Sequence, residues 1–100
     1  MAARSMNERM AYDSKQLLIS VLLKGLADAI HRNDRSAAER YCRRLRLTAE
    51  QIAADQSVQD ALKRVLLVGR LWIEAAEVDR DETTQQMLKL IDRGIRLLAS

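Results

Sequence analysis

Apolar residues recur along this chain at intervals of three and four positions, and this spacing predicts four amphipathic helices. We expect the helices at residues 14–32, 36–55, 58–78 and 83–98. Residues 1–13 are expected to form either a flexible N-terminal segment or an early start of the first helix, near Asn7. Residues 14–100 then form a single helical domain.

Capping residues mark where the later helices begin. Ser36 and Glu39 have the spacing of a capping box at the start of the second helix, and Ser57 with Asp60 is a weaker version of it. Possible caps for the last helix are Asp79, Asp81, Thr83 and Thr84.

One face of each helix is apolar, and these faces define the expected core. Its members are Leu18, Ile19, Leu22, Leu23, Leu26, Ala29 and Ile30; Tyr41, Cys42, Leu45, Ala49 and Ile52; Val58, Leu62, Val65, Trp72, Ile73 and Ala76; and Met87, Leu90, Ile91, Ile95 and Leu98. Gly25, Gly69 and Gly94 lie on or beside these faces, which predicts close approach between helices.

Short connections favour antiparallel neighbours, so the fold class is all-α, as a four-helix bundle or as two stacked helical hairpins. The stretches VLLKG at 21–25 and VLLVG at 65–69 hint that one hairpin was duplicated, although leucine-rich helices also repeat by chance. The architecture resembles tetratricopeptide repeats, since Ala38, Cys42 and Leu45 match small or apolar positions of that pattern. Its aromatic and glycine positions and its closing proline are not matched, so the resemblance concerns architecture only.

Composition supports this fold class and suggests a compartment. The chain has no proline, three glycines and a single cysteine, which is typical of a helical protein in a reducing cytoplasm. Its N-terminus lacks the apolar region of a secretory signal, and no window is apolar enough to span a membrane. We therefore expect a cytoplasmic protein without a membrane partner.

Residues that could carry chemistry are few. His31 and Cys42 fall on different sides of their helices, so a catalytic pair between them is not expected. The acidic residues at 79–82 suit a helix N-terminus, and no Gly-rich loop or metal-ligand spacing is present. The sequence predicts no enzyme activity, no cofactor and no metal.

Basic residues concentrate around the second helix. Six arginines lie between His31 and Arg46, namely Arg32, Arg35, Arg40, Arg43, Arg44 and Arg46. Arg40, Arg43 and Arg44 share the outer face, where they could contact phosphates or an acidic protein, or only solvent.

A second apolar stripe lies on the third helix, nearly opposite its core face. Its residues are Leu67, Leu71 and Val78. Met6, Met10, Leu17 and Val21 form a similar stripe on an extended first helix. Two such stripes are difficult to bury in so short a chain, which favours an interface.

The sequence therefore predicts a small non-catalytic helical interaction module of the adaptor, chaperone, inhibitor or dimerisation type. It would dock on another protein, or on itself as a homodimer, through the Leu67/Leu71 stripe, the arginine-rich face, or both. The alternative is a nucleic-acid-binding accessory protein or repressor that uses Arg40, Arg43 and Arg44.

Overall fold

A computed structural model describes the backbone of residues 2–51, 56–75 and 80–99, with side chains from residue 15 onward. These residues form four helices: α1 at Ala2–His31, α2 at Arg35–Glu50, α3 at Gln56–Glu74 and α4 at Arg80–Ala99. The prediction of an all-α four-helix bundle is confirmed. The first helix begins well before residue 14.

The four helices pack around one core in chain order. α1 contacts α2 and α4, and α3 contacts the same two helices, so α1 and α3 lie at diagonal corners. One end of the bundle carries the turn between α1 and α2 together with the C-terminal end of α3 and the start of α4. The opposite end carries the C-terminal ends of α2 and α4.

The turn between α1 and α2 corrects the predicted capping box. Asp34, and not Ser36, is the N-cap of α2, because its backbone is extended and its side chain accepts a hydrogen bond from the Ala37 N–H at 3.1 Å. Asn33 adopts the left-handed conformation, with φ of 54°. The Asp34 N–H then reaches back to the Ala29 carbonyl at 2.8 Å, which closes α1 with a Schellman motif. One short turn thus ends α1 and starts α2.

The start of α4 also differs from its predicted caps. The helix begins at Arg80, so Asp81, Thr83 and Thr84 lie inside it, while Asp79 lies outside the described residues. Thr84 instead accepts a hydrogen bond of 2.8 Å from the indole Nε1 of Trp72. This bond satisfies the only polar atom of a tryptophan that is otherwise buried in the core.

The core follows the predicted apolar faces closely. Most of its predicted members are buried or pack against buried neighbours. Leu18 is the exception, since 47% of its surface remains exposed at the edge of α1. Ile52 and Ala76 lie outside the described residues. The alanines Ala37, Ala38 and Ala61 are buried as well, because small side chains let neighbouring helices approach.

Close packing around α2 explains two of the glycines. A Cβ atom added to Gly25 would overlap the ring of Tyr41, and one added to Gly69 would lie 3.0 Å from Cys42 Sγ. Tyr41 and Cys42 are adjacent on α2, so α2 fits between one glycine of α1 and one of α3. The predicted close approach is therefore made by side chains of α2 that fill the space beside each glycine.

A buried arginine connects the two turns at one end of the bundle. The Arg80 side chain is only 5% exposed and lies over the Trp72 ring, with 4.9 Å between its Cζ and the ring centroid. Its Nη1 donates to Asn33 Oδ1 at 2.6 Å, and its Nε donates to the Ala75 carbonyl at 3.3 Å. Arg35 Nη2 also donates to that carbonyl, at 3.2 Å. We call Arg80 and these partners the Arg80 clamp.

The first prediction tests the packing at Gly69. Helix propensity alone favours Gly69→Leu by somewhat under 1 kcal/mol. We expect instead a loss of about 1–3 kcal/mol in the free energy of unfolding, because the larger side chain meets Cys42 and the Met87 methyl group. Urea melts followed by Trp72 fluorescence measure this loss. Met87→Ala should partly rescue the variant, because it removes one of the side chains that the leucine meets. The loss of stability in the double variant should therefore be smaller than the sum of the losses in the two single variants. A stabilised Gly69→Leu protein would contradict the packing argument.

The second prediction tests the Arg80 clamp through Asn33. A glycine tolerates left-handed backbone better than asparagine, so local conformation alone favours Asn33→Gly. We expect Asn33→Gly to destabilise the protein by about 1.5–3 kcal/mol, because a buried guanidinium then loses a charge-assisted hydrogen bond. Thermal melts of Asn33→Gly and Asn33→Asp measure this, and the aspartate variant should retain more stability. If Asn33→Gly melts at or above the wild-type temperature, the clamp contributes little.

Candidate protein-docking surface

The outer face of α2 presents the predicted arginines to solvent. Arg40, Arg43, Arg44 and Arg46 are all exposed, because α2 turns its opposite side, with Ala38 and Leu45, into the core. Leu47 lies among these arginines and is 54% exposed. The face is therefore basic with one apolar side chain at its centre, a feature that the sequence analysis missed.

Ion pairs divide the arginines into two groups. Arg32 pairs with Asp28 at 3.3 Å, Arg43 lies 4.0 Å from Glu39, and Arg35 is engaged by the Ala75 carbonyl. Within the described part of the chain, no carboxylate forms an ion pair with Arg40, Arg44 or Arg46. These three guanidinium groups are the cations most available to an outside partner.

The predicted stripe on α3 is exposed where the structure describes it. Leu67 and Leu71 have 64% and 55% of their surfaces exposed, one helical turn apart. Val78 lies outside the described residues. The stripe lies on the outer side of α3, away from both neighbouring helices, so it is a surface separate from the face of α2.

A groove between α2 and α3 joins the arginine face to α3. It consists of two adjoining parts of about 420 and 430 Å³, which share Arg46 and Leu66 in their linings. Its apolar lining residues are Cys42, Ala49, Leu62, Leu66 and Ile73, and its charged ones are Glu39, Arg43, Arg46, Glu50, Lys63, Arg70 and Glu74. We call this feature the α2–α3 groove.

The α3 wall of the groove was not foreseen from the sequence. Arg70 lies on that wall and pairs with Glu74, with 3.2 Å between Nε and Oε1, and Lys63 lies farther along it. The helical wheel of α3 does place both residues beside Leu66. What the wheel cannot show is that this side of α3 faces the arginines of α2.

Cys42 lies partly exposed within the groove and is a weak nucleophile. Burial raises its pKa to about 11, and the negative charge of Glu39 adds to that increase. The thiol is therefore almost entirely protonated at neutral pH. His31 is exposed on α1 and does not meet Cys42.

Two further features concern metal ligands and the apolar character of the helices. Among the residues that the structure describes, no three His, Cys, Asp or Glu side chains cluster in a way that could hold a metal ion. None of the described helices combines the length and apolar character needed to cross a membrane.

Comparisons with protein-family models, with curated proteins and with solved structures found no match to this chain.

Proposed function

We propose that this protein is a non-catalytic helical docking module of the cytoplasm that binds an acidic amphipathic helix of a partner protein in the α2–α3 groove. The observation that carries this proposal is an apolar groove floor whose walls carry four basic and three acidic side chains. Arg43 and Arg70 pair with Glu39 and Glu74. Arg46 and Lys63 form no ion pair with a carboxylate of the described residues, so they are the cations of the groove most open to a partner. Apolar residues of the partner would lie on the floor, and its carboxylates would meet the arginines of the rim. Helix-in-groove recognition of this kind is common among interaction modules.

The distribution of charge supports an acidic partner. α2 and α3 together carry eight basic and four acidic residues, all of them exposed, whereas α1 and α4 carry eight and six. The excess of positive charge is therefore concentrated on the two helices that form the groove. Electrostatic attraction of this kind speeds association and selects for partners of opposite charge.

A protein partner explains the groove better than nucleic acid does. Proteins that bind single strands commonly stack bases on exposed aromatic side chains. Here Trp72 is buried, and Tyr41 is half-buried against Gly25 of α1 beside Arg40, Arg43 and Arg44, so little aromatic surface is available for stacking. An apolar floor and the exposed Leu47 offer nothing to a phosphate backbone but suit leucine-like side chains.

The α3 stripe would extend this contact surface. Leu67 lies on the same helix as the groove wall, one position from Leu66 of the lining. A partner that passes over that wall would cover Leu67 and Leu71 as well. Their removal should then weaken binding less than removal of the arginines, because leucine is rarely a dominant contact in an interface.

The third prediction uses designed peptides as probes. An amphipathic helical peptide with leucines on one face and glutamates beside them should bind, and its affinity should fall with salt. A matched peptide with lysines in place of the glutamates should not. Arg43, Arg46 and Arg70 line the groove and are exposed, so replacing all three by Gln should change stability by less than about 0.5 kcal/mol each. The triple variant should lose most of the affinity for the acidic peptide, measured by fluorescence anisotropy.

The controls separate the proposal from its alternative. Leu67→Ser combined with Leu71→Ser should retain most of the peptide affinity and the wild-type melting curve. A generic DNA duplex and an RNA strand should bind weakly at physiological salt. Tight nucleic-acid binding that loses about three units of salt slope when Arg40, Arg43 and Arg44 are replaced by Gln would support the nucleic-acid alternative instead.

The fourth prediction uses Cys42 as a reporter of the groove. With a pKa of about 11, the thiolate fraction at pH 8 is about one thousandth, so alkylation should be slow and should still accelerate between pH 9 and 10. Saturating acidic peptide should slow alkylation further, because it covers the groove. Mass spectrometry of the iodoacetamide-treated protein measures both effects. Unchanged alkylation in the presence of bound peptide would place the peptide elsewhere.

A further inference from the structure

The first half of α1 extends beyond the bundle. Lys15 Nζ donates to the carbonyl of Gln51, the C-cap of α2, at 3.3 Å, so α2 ends beside residue 15. Gly94 of α4 lies against Leu23, which places the end of α4 near residue 18, at about 1.5 Å per residue. Residues 2–14 form about 20 Å of helix past both ends, and the longest dimension of the molecule is 56 Å. We call these residues the α1 extension.

A projecting helix of this length has little stability of its own, so a surface packed against it would stabilise it. Isolated helices shorter than about 12–15 residues are marginal in water, because propensity alone barely balances the entropy of ordering the chain. At the base of the extension, Leu17 and Val21 are 66% and 56% exposed on the side of α1 that faces away from the core. An apolar face therefore begins where the bundle ends.

The amino-acid pattern of the core side of α1 becomes mixed at the same point. Within the bundle the apolar face includes Ile19 and Leu23, which are fully buried. Continued backward by helical spacing, that face holds Lys15 and Glu8 together with Ala11 and Tyr12. The outer face, by contrast, continues backward from Leu17 with methionines at positions 10 and 6. The sequence of the extension thus suits a partner on the outer side of α1.

The spacing of these four apolar residues is symmetric. Positions 6, 10, 17 and 21 are separated by four, seven and four residues, so they are centred between residues 13 and 14. When two copies of such a helix lie antiparallel about that centre, Met6 falls beside Val21 of the partner subunit and Met10 beside Leu17 of the partner subunit. A two-fold interface requires this self-complementarity, because each surface must match itself. The intervals also fit the repeat of antiparallel coiled coils.

We infer that this face of α1 binds a second copy of the chain, with the two α1 helices antiparallel and each extension lying along the exposed Leu17 and Val21 of the other copy. α2 and α4 pack on the opposite side of α1, so the second helix displaces no element of the bundle. The contact would run over residues 3–24, a length of about 33 Å. Asp13 and Ser14 lie at the centre of the pair, where a polar contact selects one register at some cost in affinity.

Sedimentation equilibrium of the full chain tests the inference. The protein concentration is varied from about 1 to about 100 micromolar, a range in which reversible dimers dissociate measurably. We expect a reversible dimer. Met6→Gln combined with Met10→Gln should weaken it by about a hundredfold or more, because apolar surface is lost on both copies. These two positions lie outside the bundle, so the thermal transition of the Trp72 core should persist. As a matched control, Leu67→Gln with Leu71→Gln on α3 should leave the dimer intact. A monomeric wild type at 100 micromolar, or a dimer lost only in the α3 control, would overturn the inference.

Oxidative cross-linking tests the antiparallel register in a Cys42→Ala background. Met10→Cys mixed with Leu17→Cys should give a covalent heterodimer of the two variants, and the double variant should cross-link fully. Either single variant alone should stay largely uncross-linked, because identical positions lie about seven residues, or 10 Å, apart along the pair. Efficient cross-linking of Met10→Cys alone would indicate parallel helices and refute the proposed interface.

Discussion

The buried guanidinium of Arg80 is the interaction on which the arrangement of the two hairpins depends. A buried charge costs several kcal/mol in desolvation unless polar partners surround it. Here the Trp72 ring, the Asn33 side chain and the Ala75 carbonyl at the end of α3 supply such partners. Its Nη2 atom has no partner among the described residues. Because the partners come from both turns, the clamp fixes the end of one hairpin against the other.

That connection also determines the shape of the α2–α3 groove. α2 follows the Asn33 turn directly, and α3 ends at the carbonyl that both Arg35 and Arg80 bind. The spacing of these two helices is therefore set at one end by the clamp and along their length by Gly69 against Cys42. The result is a groove with Leu66 on its floor and with arginines and glutamates on both walls. An apolar floor with a small excess of basic side chains on its rim is the physical basis for proposing an acidic helical partner.

The two proposed contact surfaces are physically independent. The groove lies between α2 and α3, whereas the outer face of α1 lies at the opposite corner of the bundle from α3. A dimer formed through α1 would leave both grooves open and would present two of them in one assembly. Two linked binding sites raise the apparent affinity for a partner that carries two acidic helices, without any new contact.

Local periodicity and composition were sufficient to predict the four helices, their apolar faces and the positive face of α2. Each of these features follows from the 3.6-residue repeat of the helix and from which residue types occupy each of its faces. The exposure of Leu67 and Leu71 was also visible as a second stripe on one helix. The tertiary structure decided which helices became neighbours, and the helical wheel does not contain that information. It therefore brought Arg70 opposite Arg43, left Leu18 at an exposed edge, and chose Asp34 over Ser36 as the cap through the left-handed turn at Asn33. It also buried Arg80, which the sequence presents as an ordinary charged residue, because only the folded chain brings a tryptophan, an asparagine and a helix end around one guanidinium.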